Sequence, residues 1–130
     1  MIKVVAAIIR NQNKILICRR AEEGDCADLW EFPGGKLEPG ETMERCLIRG
    51  CEEELGIRIK VIDLFAETKY QYPEHEIAFS FFNAEIREGT VSAIVHQELR
   101  WVTPDEMERY EFCPADIEIV KKLVGTKDGT

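Results

Sequence analysis

The chain has 130 residues, a length that suits one domain with its own hydrophobic core, and we expect residues 1–130 to form a single domain. Hydrophobic residues make up 45% of the chain and charged residues 32%, as in ordinary globular proteins. The formal net charge of −8 argues against a basic surface for polymeric nucleic acid. An acidic protein can still hold a small polyphosphate if divalent cations lie between the two.

The apolar runs and the cysteines indicate the compartment. No apolar run approaches the length of a membrane span, and the first residues lead into a strand-like run instead of a signal peptide. The five cysteines are an odd number without a CxxC metal spacing, which is typical of reduced thiols. The sequence therefore predicts a cytoplasmic protein with no membrane partner.

Two apolar runs near the start of the chain predict a β-hairpin. Residues 4–9 (VVAAII) and 14–18 (KILIC) are rich in β-branched residues and flank a polar turn, RNQN. A polar loop over residues 19–28 follows. Residues 29–32 (LWEF) then predict a short aromatic strand.

A glycine-rich loop and a helix come next. Residues 33–41 (PGGKLEPGE) contain three glycines and two prolines, which predicts a loop of defined shape. A helix is predicted from about Thr42 to Leu55, with Thr42 as its N-cap and Gly56 just past its end.

The second half of the chain reads as strands followed by a closing helix. Long strands are predicted over residues 57–72 and 76–86, and a shorter one over residues 98–103. Pro104 opens a short helical turn. A final helix is predicted from Pro114, with Gly125 just past its end. The order β-β-loop-α-β-β-β-α indicates a mixed sheet packed between helices, an α/β (α+β) sandwich.

The helix over residues 42–55 carries three consecutive glutamates and an interior glycine, Gly50, which costs about 1 kcal/mol relative to alanine. At about 100° per residue, Glu53 and Glu54 flank the direction of Gly50, while Glu52 lies on the opposite side. An apolar stripe beside them faces the core: Leu47, Ile48, Cys51 and Leu55. Glutamates late in a helix are often a solvated face, but gathered carboxylates repel each other and oppose the helix dipole. A bound cation would relieve both effects.

Residues 35–57 (GKLEPGETMERCLIRGCEEELGI) resemble the signature of the Nudix hydrolases, G-x5-E-x7-R-E-U-x-E-E-x-G-U, in which U is aliphatic. The positions that match at the required spacing are Gly35, Glu41, Arg49, Glu53, Glu54, Gly56 and Ile57, with Cys51 in place of an aliphatic residue. WEFPGG and PADIEIVKKL extend the resemblance over nearly the whole chain, most of all to the branch that removes unwanted nucleoside triphosphates. The resemblance implies the Nudix-type α/β/α sandwich with a catalytic loop and helix.

The resemblance also implies a metal site. In such a protein Glu53 and Glu54 hold Mg²⁺, with Mn²⁺ as an alternative, aided by the backbone carbonyl of Gly34 or a neighbour. Glu41 and Arg49 form the pair that orients these ligands, a role that changes metal affinity or activity by about 10-fold to 100-fold. Hard oxygen ligands of this kind suit Mg²⁺.

Two glutamates that the family usually has are replaced here, one by Gly50 and one by Val95. The gap at Gly50 could hold water and leave a slower enzyme, or Glu98 could reach in as the general base. An ordinary exposed residue at a strand start is the favoured alternative for Glu98. His96 is a further candidate base, although a lone histidine in a loop is usually solvated. The chain could also bind nucleotides and barely turn them over.

The resemblance places the nucleobase pocket at Arg20, at the aromatic strand with Glu31 and Phe32, and at Asp116. An ionised aspartate only accepts hydrogen bonds, and cytosine offers its N4 amino group as a donor. Asp116 could instead cap the final helix.

We therefore predict a Mg²⁺-dependent pyrophosphohydrolase that converts a nucleoside triphosphate, (d)CTP or a modified cytosine nucleotide, to the monophosphate and pyrophosphate. A weakly active or inactive nucleotide-binding protein and an 8-oxo-dGTP-type diphosphatase are the alternatives. The predicted partner is the small-molecule triphosphate, and both a monomer and a homodimer remain open.

Overall fold

The computed structural model describes the backbone of residues 1–128 and the side chains of residues 1–125. Seven strands and three helices lie within these residues. In chain order they are β1 (Ile2–Asn11), β2 (Lys14–Arg19), β3 (Trp30–Glu31), β4 (Gly34–Lys36), α1 (Met43–Leu55), β5 (Arg58–Gln71), β6 (Glu76–Glu88), β7 (Glu98–Val102), α2 (Pro104–Met107) and α3 (Pro114–Asp128). None of the helices in the described part of the chain is long and apolar enough to cross a bilayer.

The strands form a mixed sheet, as the sequence predicts. Their order is β3-β2-β1-β6-β5, with β4 also paired to β1 and β7 to β2. The pairing of β1 with β6 is parallel, from Ile2 opposite Ile77 to Ile9 opposite Ala84. The other pairings between strands are antiparallel, including the predicted hairpin of β1 and β2.

Side chains on the central strands alternate between two cores, because successive residues of a strand point to opposite faces. Ala6 and Ile8 of β1 pack in one core with Ile119 and Leu123 of α3. The other core combines alternate residues of β1 and β2 with the apolar stripe of α1: Val5, Ala7, Ile9, Leu16, Cys18, Cys46, Leu47, Cys51 and Leu55. The sheet is therefore covered by α1 on one side and α3 on the other, which confirms the predicted α/β/α sandwich.

The predicted boundaries of α1 are confirmed by its caps. Thr42 has an extended backbone, and its Oγ1 accepts a hydrogen bond from the Arg45 amide at 3.1 Å. Gly56 adopts a left-handed conformation with φ of 70°, and its amide donates to the Glu52 carbonyl. This is the common way in which a helix ends at glycine.

Two boundary predictions are wrong. Residues 34–36 lie in the predicted loop, but they form β4, because their backbone pairs with residues 4–6 of β1. Gly125 does not end the final helix, since α3 continues to Asp128. A glycine stops a helix when its backbone turns left-handed, and Gly125 is not among the glycines of positive φ.

Candidate active site

The glycine-rich strand β4 is wedged between β1 and α1. A Cβ atom on Gly34 would come within 1.9 Å of the Val5 carbonyl oxygen, so only glycine fits there. On the other side, a Cβ on Gly50 would lie 3.1 Å from the Gly34 carbonyl carbon and 3.2 Å from its oxygen. Gly50 thus lets α1 press directly on the backbone of β4, which brings the carboxyl end of the helix to the glycine-rich segment.

Arg49 ties α1 to the loop that precedes it. Its Nε and Nη2 atoms donate to the two carboxylate oxygens of Glu41 at 2.8 and 3.0 Å, a bidentate pair. Its Nη1 donates to Glu53 Oε1 at 3.0 Å, and its Nη2 also reaches the Lys36 carbonyl at 3.2 Å. Hydrogen bonding from Arg49 lowers the pKa of Glu41 to about 2. The structure therefore brings the predicted pair together and keeps Glu41 ionised.

Glu53 and Glu54 occupy different environments. The Glu53 side chain is 62% exposed and bonded to Arg49. Glu54 is half-buried beside the glycine-rich strand, and its Oε1 atom is buried without a hydrogen-bond partner. Burial raises the pKa of Glu54 to about 7, opposed by His96 and reinforced by Glu31. The charged form is costly here, because burial outweighs the stabilising effects of His96, of a hydrogen bond from the Gly34 backbone and of Arg20.

The groups at the end of α1 fit a hard cation, with fewer carboxylates than a dedicated cage would have. The unpartnered oxygen of Glu54, the second oxygen of Glu53 and the Gly34 carbonyl are oxygen donors of the type that Mg²⁺ prefers. Within the described residues, no group of three or more His, Cys, Asp or Glu side chains could hold a metal ion. The set agrees with a cation that also takes oxygens from water or substrate.

A cleft of about 620 Å³ runs from Glu54 to the first turn of α3. Six of the predicted site residues line it: Arg20, Glu31, Phe32, Gly34, Glu54 and Asp116. The tip of the hairpin between β5 and β6 lines the cleft as well, including Tyr72 and His75, and sequence analysis did not find these residues. Nothing in the periodicity of two strands tells which cleft their connecting turn reaches.

Arg20 and Glu31 form the polar wall of this cleft. Arg20 Nη1 donates to Glu31 Oε1 at 2.8 Å, and its Nε donates to the Asp25 carbonyl at 2.9 Å. The second oxygen of Glu31 bonds to His96 Nε2 at 2.9 Å. Phe32 is 3% exposed and stacks on Phe112, with ring centroids 5.7 Å apart.

Asp116 lies in the first turn of α3 and is only 5% exposed. Burial raises the pKa of Asp116 well above its usual range, with a further rise from Glu31 and opposition from a hydrogen bond to the Phe32 backbone. Burial therefore shifts Asp116 towards the neutral acid relative to an aspartate in water. A neutral carboxyl group donates as well as accepts hydrogen bonds, whereas an ionised carboxylate only accepts them.

The two candidate bases, Glu98 and His96, differ in their surroundings. Glu98 opens β7, where it bonds to Arg100 and lies 3.9 Å from Arg19, and it is not among the residues that line the cleft. His96 is not solvated as expected for a loop histidine, since its side chain is only 4% exposed. Its burial depends on a partner 65 residues away, a relation that no local pattern signals.

Comparison with known proteins agrees with this geometry. Residues 1–123 match the model of the NUDIX domain. The chain is 38% identical over 127 residues to the CTP pyrophosphohydrolase of Escherichia coli K12, covering 98% of this chain and 94% of the relative. It is 35% identical over 123 residues to the 8-oxo-dGTP diphosphatase of the same organism, covering 94% and 95% of the two chains.

A solved structure shows the same fold. The solution structure of the E. coli ORF135 protein matches with a TM-score of 0.85 at 37% identity, covering 98% of this chain and 91% of that one. The predicted resemblance is confirmed by the domain match, by these relatives and by the helix and glycine-rich strand described above. The chain belongs to the NUDIX family, and the prediction that it is a Nudix hydrolase is confirmed.

Proposed function

We propose that this single-domain protein is a Mg²⁺-dependent pyrophosphohydrolase that converts (d)CTP, or a modified cytosine triphosphate, to the monophosphate and pyrophosphate. The observation that carries the proposal is one cleft with Glu54, one of whose oxygens has no hydrogen-bond partner, at one end and two carboxyl groups, Glu31 and Asp116, on its remaining wall. The name of the relative that is 38% identical, a CTP pyrophosphohydrolase, supports the choice of cytosine.

At the phosphate end, Glu53, Glu54 and the Gly34 carbonyl would hold Mg²⁺ or Mn²⁺. When bound, the cation supplies positive charge that screens the phosphates and the negative charge that develops during hydrolysis. Arg49 and Glu41 hold Glu53 in place through the hydrogen bonds already described. The unpartnered oxygen of Glu54 is the atom with most to gain from a cation.

At the base end, Glu31 and Asp116 would accept hydrogen bonds from the exocyclic amino group of cytosine. Arg20 fixes one oxygen of Glu31. Phe32 provides an apolar wall, since it is buried against Phe112. The walls of the cleft thus offer acceptors where cytosine has a donor.

Hydrolysis requires a water molecule to attack one phosphorus of the α–β anhydride while the bond from that phosphorus to the bridging oxygen breaks and a base takes the water proton, which yields the monophosphate and pyrophosphate. Gly50 offers no carboxylate for this, and Glu98 is held by two arginines. We therefore expect turnover to be slow compared with a protein that has glutamate at position 50.

The second candidate is hydrolysis of 8-oxo-dGTP, the substrate named for the relative that is 35% identical. The observation that favours it is the burial of Asp116, which raises its pKa and so favours the neutral form of the carboxyl group, a form that both donates and accepts hydrogen bonds. The substitution Asp116→Asn separates the two candidates. An amide should move preference from cytosine towards guanine, and unchanged selectivity would discard the assignment of Asp116.

The activity is tested by pyrophosphate release from a panel of canonical and oxidised triphosphates, each with Mg²⁺, with Mn²⁺ and with a chelator. The expected result is metal-dependent release that is fastest with a cytosine nucleotide. Binding of triphosphates without any release would instead show a nucleotide-binding protein. Absence of both binding and release would reject the proposal.

A further inference from the structure

His96 is fixed between the two ends of the cleft by the segment that carries it. The Ser92 amide donates to the Leu55 carbonyl at 2.9 Å, so the segment is attached to the end of α1. The Gln97 amide donates to the Arg19 carbonyl at 2.9 Å, and the Gln97 side chain donates to the Arg20 carbonyl at 2.7 Å. His96 lies between these attachments and is therefore held in one place.

The contrast with its neighbours shows that the burial of His96 is specific. Ile94 and Val95 are 57% and 54% exposed, although they are apolar. The polar His96 is buried instead, with a side chain only 4% exposed. A segment that exposes two apolar residues and buries a histidine gains little from the hydrophobic effect, so the gain must come from the polar contact of the histidine.

That contact is with Glu31. His96 Nε2 lies 2.9 Å from Glu31 Oε2, and Arg20 Nη1 lies 2.8 Å from Glu31 Oε1. Each carboxylate oxygen thus has one fixed donor, and each keeps lone pairs free, because a carboxylate offers about four acceptor positions. Since an ionised Glu31 only accepts hydrogen bonds, Nε2 must carry a proton and donate in this contact. Nδ1 is buried and has no hydrogen-bond partner.

We infer that His96 is a positioning residue for recognition of the base: together with Arg20 it fixes the Glu31 carboxylate in the orientation that accepts a hydrogen bond from the amino group of the nucleobase. This inference rests on the proposed function. His96 does not line the cleft and acts through Glu31. Without it, Glu31 keeps the Arg20 contact alone and can rotate about its terminal bond.

The test compares His96→Leu, which removes the donor, with His96→Gln, whose amide nitrogen can take the place of Nε2. Val95→Ala serves as a control in the same segment, because Val95 is exposed. Each variant is assayed with dCTP and dUTP, which differ by an amino group and a carbonyl oxygen on the base. We expect His96→Leu to lower kcat/KM for dCTP by about tenfold or more, mainly through KM, and to change dUTP little. His96→Gln should recover most of the loss.

A merely structural role predicts a different pattern. It would lower thermal stability and reduce activity towards dCTP and dUTP equally, and this result would overturn the inference. A double-mutant cycle with Glu31→Gln adds a second criterion, because residues that act together are not additive. If His96 acts through Glu31, His96→Leu should cost little more in the Glu31→Gln background, and full additivity would contradict the inference.

Failure of the proposed function is distinguishable from failure of this inference. If the wild type prefers guanine, the variants are compared with dGTP and with dITP, which lacks the amino group. If the wild type hydrolyses nothing, binding of the same nucleotide pairs is measured instead. The imidazole protons of the full chain are read by long-range ¹H–¹⁵N NMR. A proton on His96 Nε2 supports the inference, and a bare Nε2 overturns it.

Discussion

Replacing Gly50 tests whether the missing glutamate limits the protein. A Cβ at position 50 would lie 3.1 Å from the Gly34 carbonyl carbon, so the two backbones must move apart by a few tenths of an ångström. β4 cannot retreat, because Gly34 already lies against β1, and α1 must shift instead. Crowding of this kind lowers the unfolding free energy by about 1–3 kcal/mol, and replacing a glycine inside a helix with alanine raises it by about 1 kcal/mol. We expect Gly50→Ala to lose about 1 kcal/mol of unfolding free energy.

Gly50→Glu causes the same displacement of α1 and also introduces a carboxylate. Gly50→Gln is its uncharged control. The new side chain points between Glu53 and Glu54, as the helical geometry requires. A charge pair at about 4 Å is worth roughly 4 kcal/mol at an effective dielectric constant of 20, of which crowding removes about 1 kcal/mol. Allowing for partial solvation, we expect Gly50→Glu to raise kcat/KM in Mg²⁺ by at least about tenfold.

The assay is pyrophosphate release at increasing Mg²⁺, with thermal unfolding recorded with and without the cation. Gly50→Glu should be destabilised in chelator, because three carboxylates then meet without a cation, and Mg²⁺ should restore its stability. Gly50→Gln and Gly50→Ala should show neither the gain in rate nor the response to Mg²⁺. If the glutamate variant gains nothing at saturating Mg²⁺, or if the glutamine variant matches it, the glycine is not the deficit that we describe.

Three further predictions concern charged side chains. The folded-state pKa of Glu54, about 7, lies above its ordinary value of 4.5, so the fold favours the neutral acid and loses stability as pH rises between these values. In chelator, the unfolding free energy of Glu54→Gln should equal that of the wild type near pH 5 and exceed it at pH 8 by about 2 kcal/mol, after a discount for partial exposure. Equal melting temperatures at pH 8 would contradict burial as the cause of the raised pKa. Arg49→Lys cannot form the bidentate pair with Glu41, and it should therefore lower kcat/KM by about 10-fold to 100-fold with little change in thermal stability. An unchanged kcat/KM would show that Arg49 has no role in the active site. Glu98→Gln, measured by the same assay, should alter the rate by less than about fivefold, the range of an exposed ion pair, and a loss of several hundredfold would identify Glu98 as the base.

The parts of the fold that follow local rules could be predicted from the sequence. The apolar, β-branched runs of β1 and β2 and the apolar stripe on α1 are local signals, and the helical wheel correctly separated the solvated Glu52 from Glu54. The pairing of Arg49 with Glu41 was implied by the resemblance to the Nudix signature, and the structure shows it.

The parts that depend on distant segments could not be predicted in this way. His96 meets Glu31 across 65 residues, and the hairpin tip at Tyr72 reaches the cleft only because β5 and β6 are long. The raised pKa of Asp116 arises from its burial beside Phe32, which spacing along α3 does not reveal. The short β4 was missed because glycine and proline signal a loop, while its pairing with β1 is a property of the folded sheet.

The main-chain contact between β4 and α1 has a consequence for ligand length. Backbone on both sides of that contact leaves no rotamer to adjust, so the end of α1 that carries Glu54 keeps a fixed position relative to β4 at one end of the cleft. A nucleotide seated by its base would present a given phosphate at a given depth, and a diphosphate would fall one unit short of what a triphosphate reaches. Discrimination by the number of phosphates would then be built into the backbone, whereas the choice of base is left to side chains that can change.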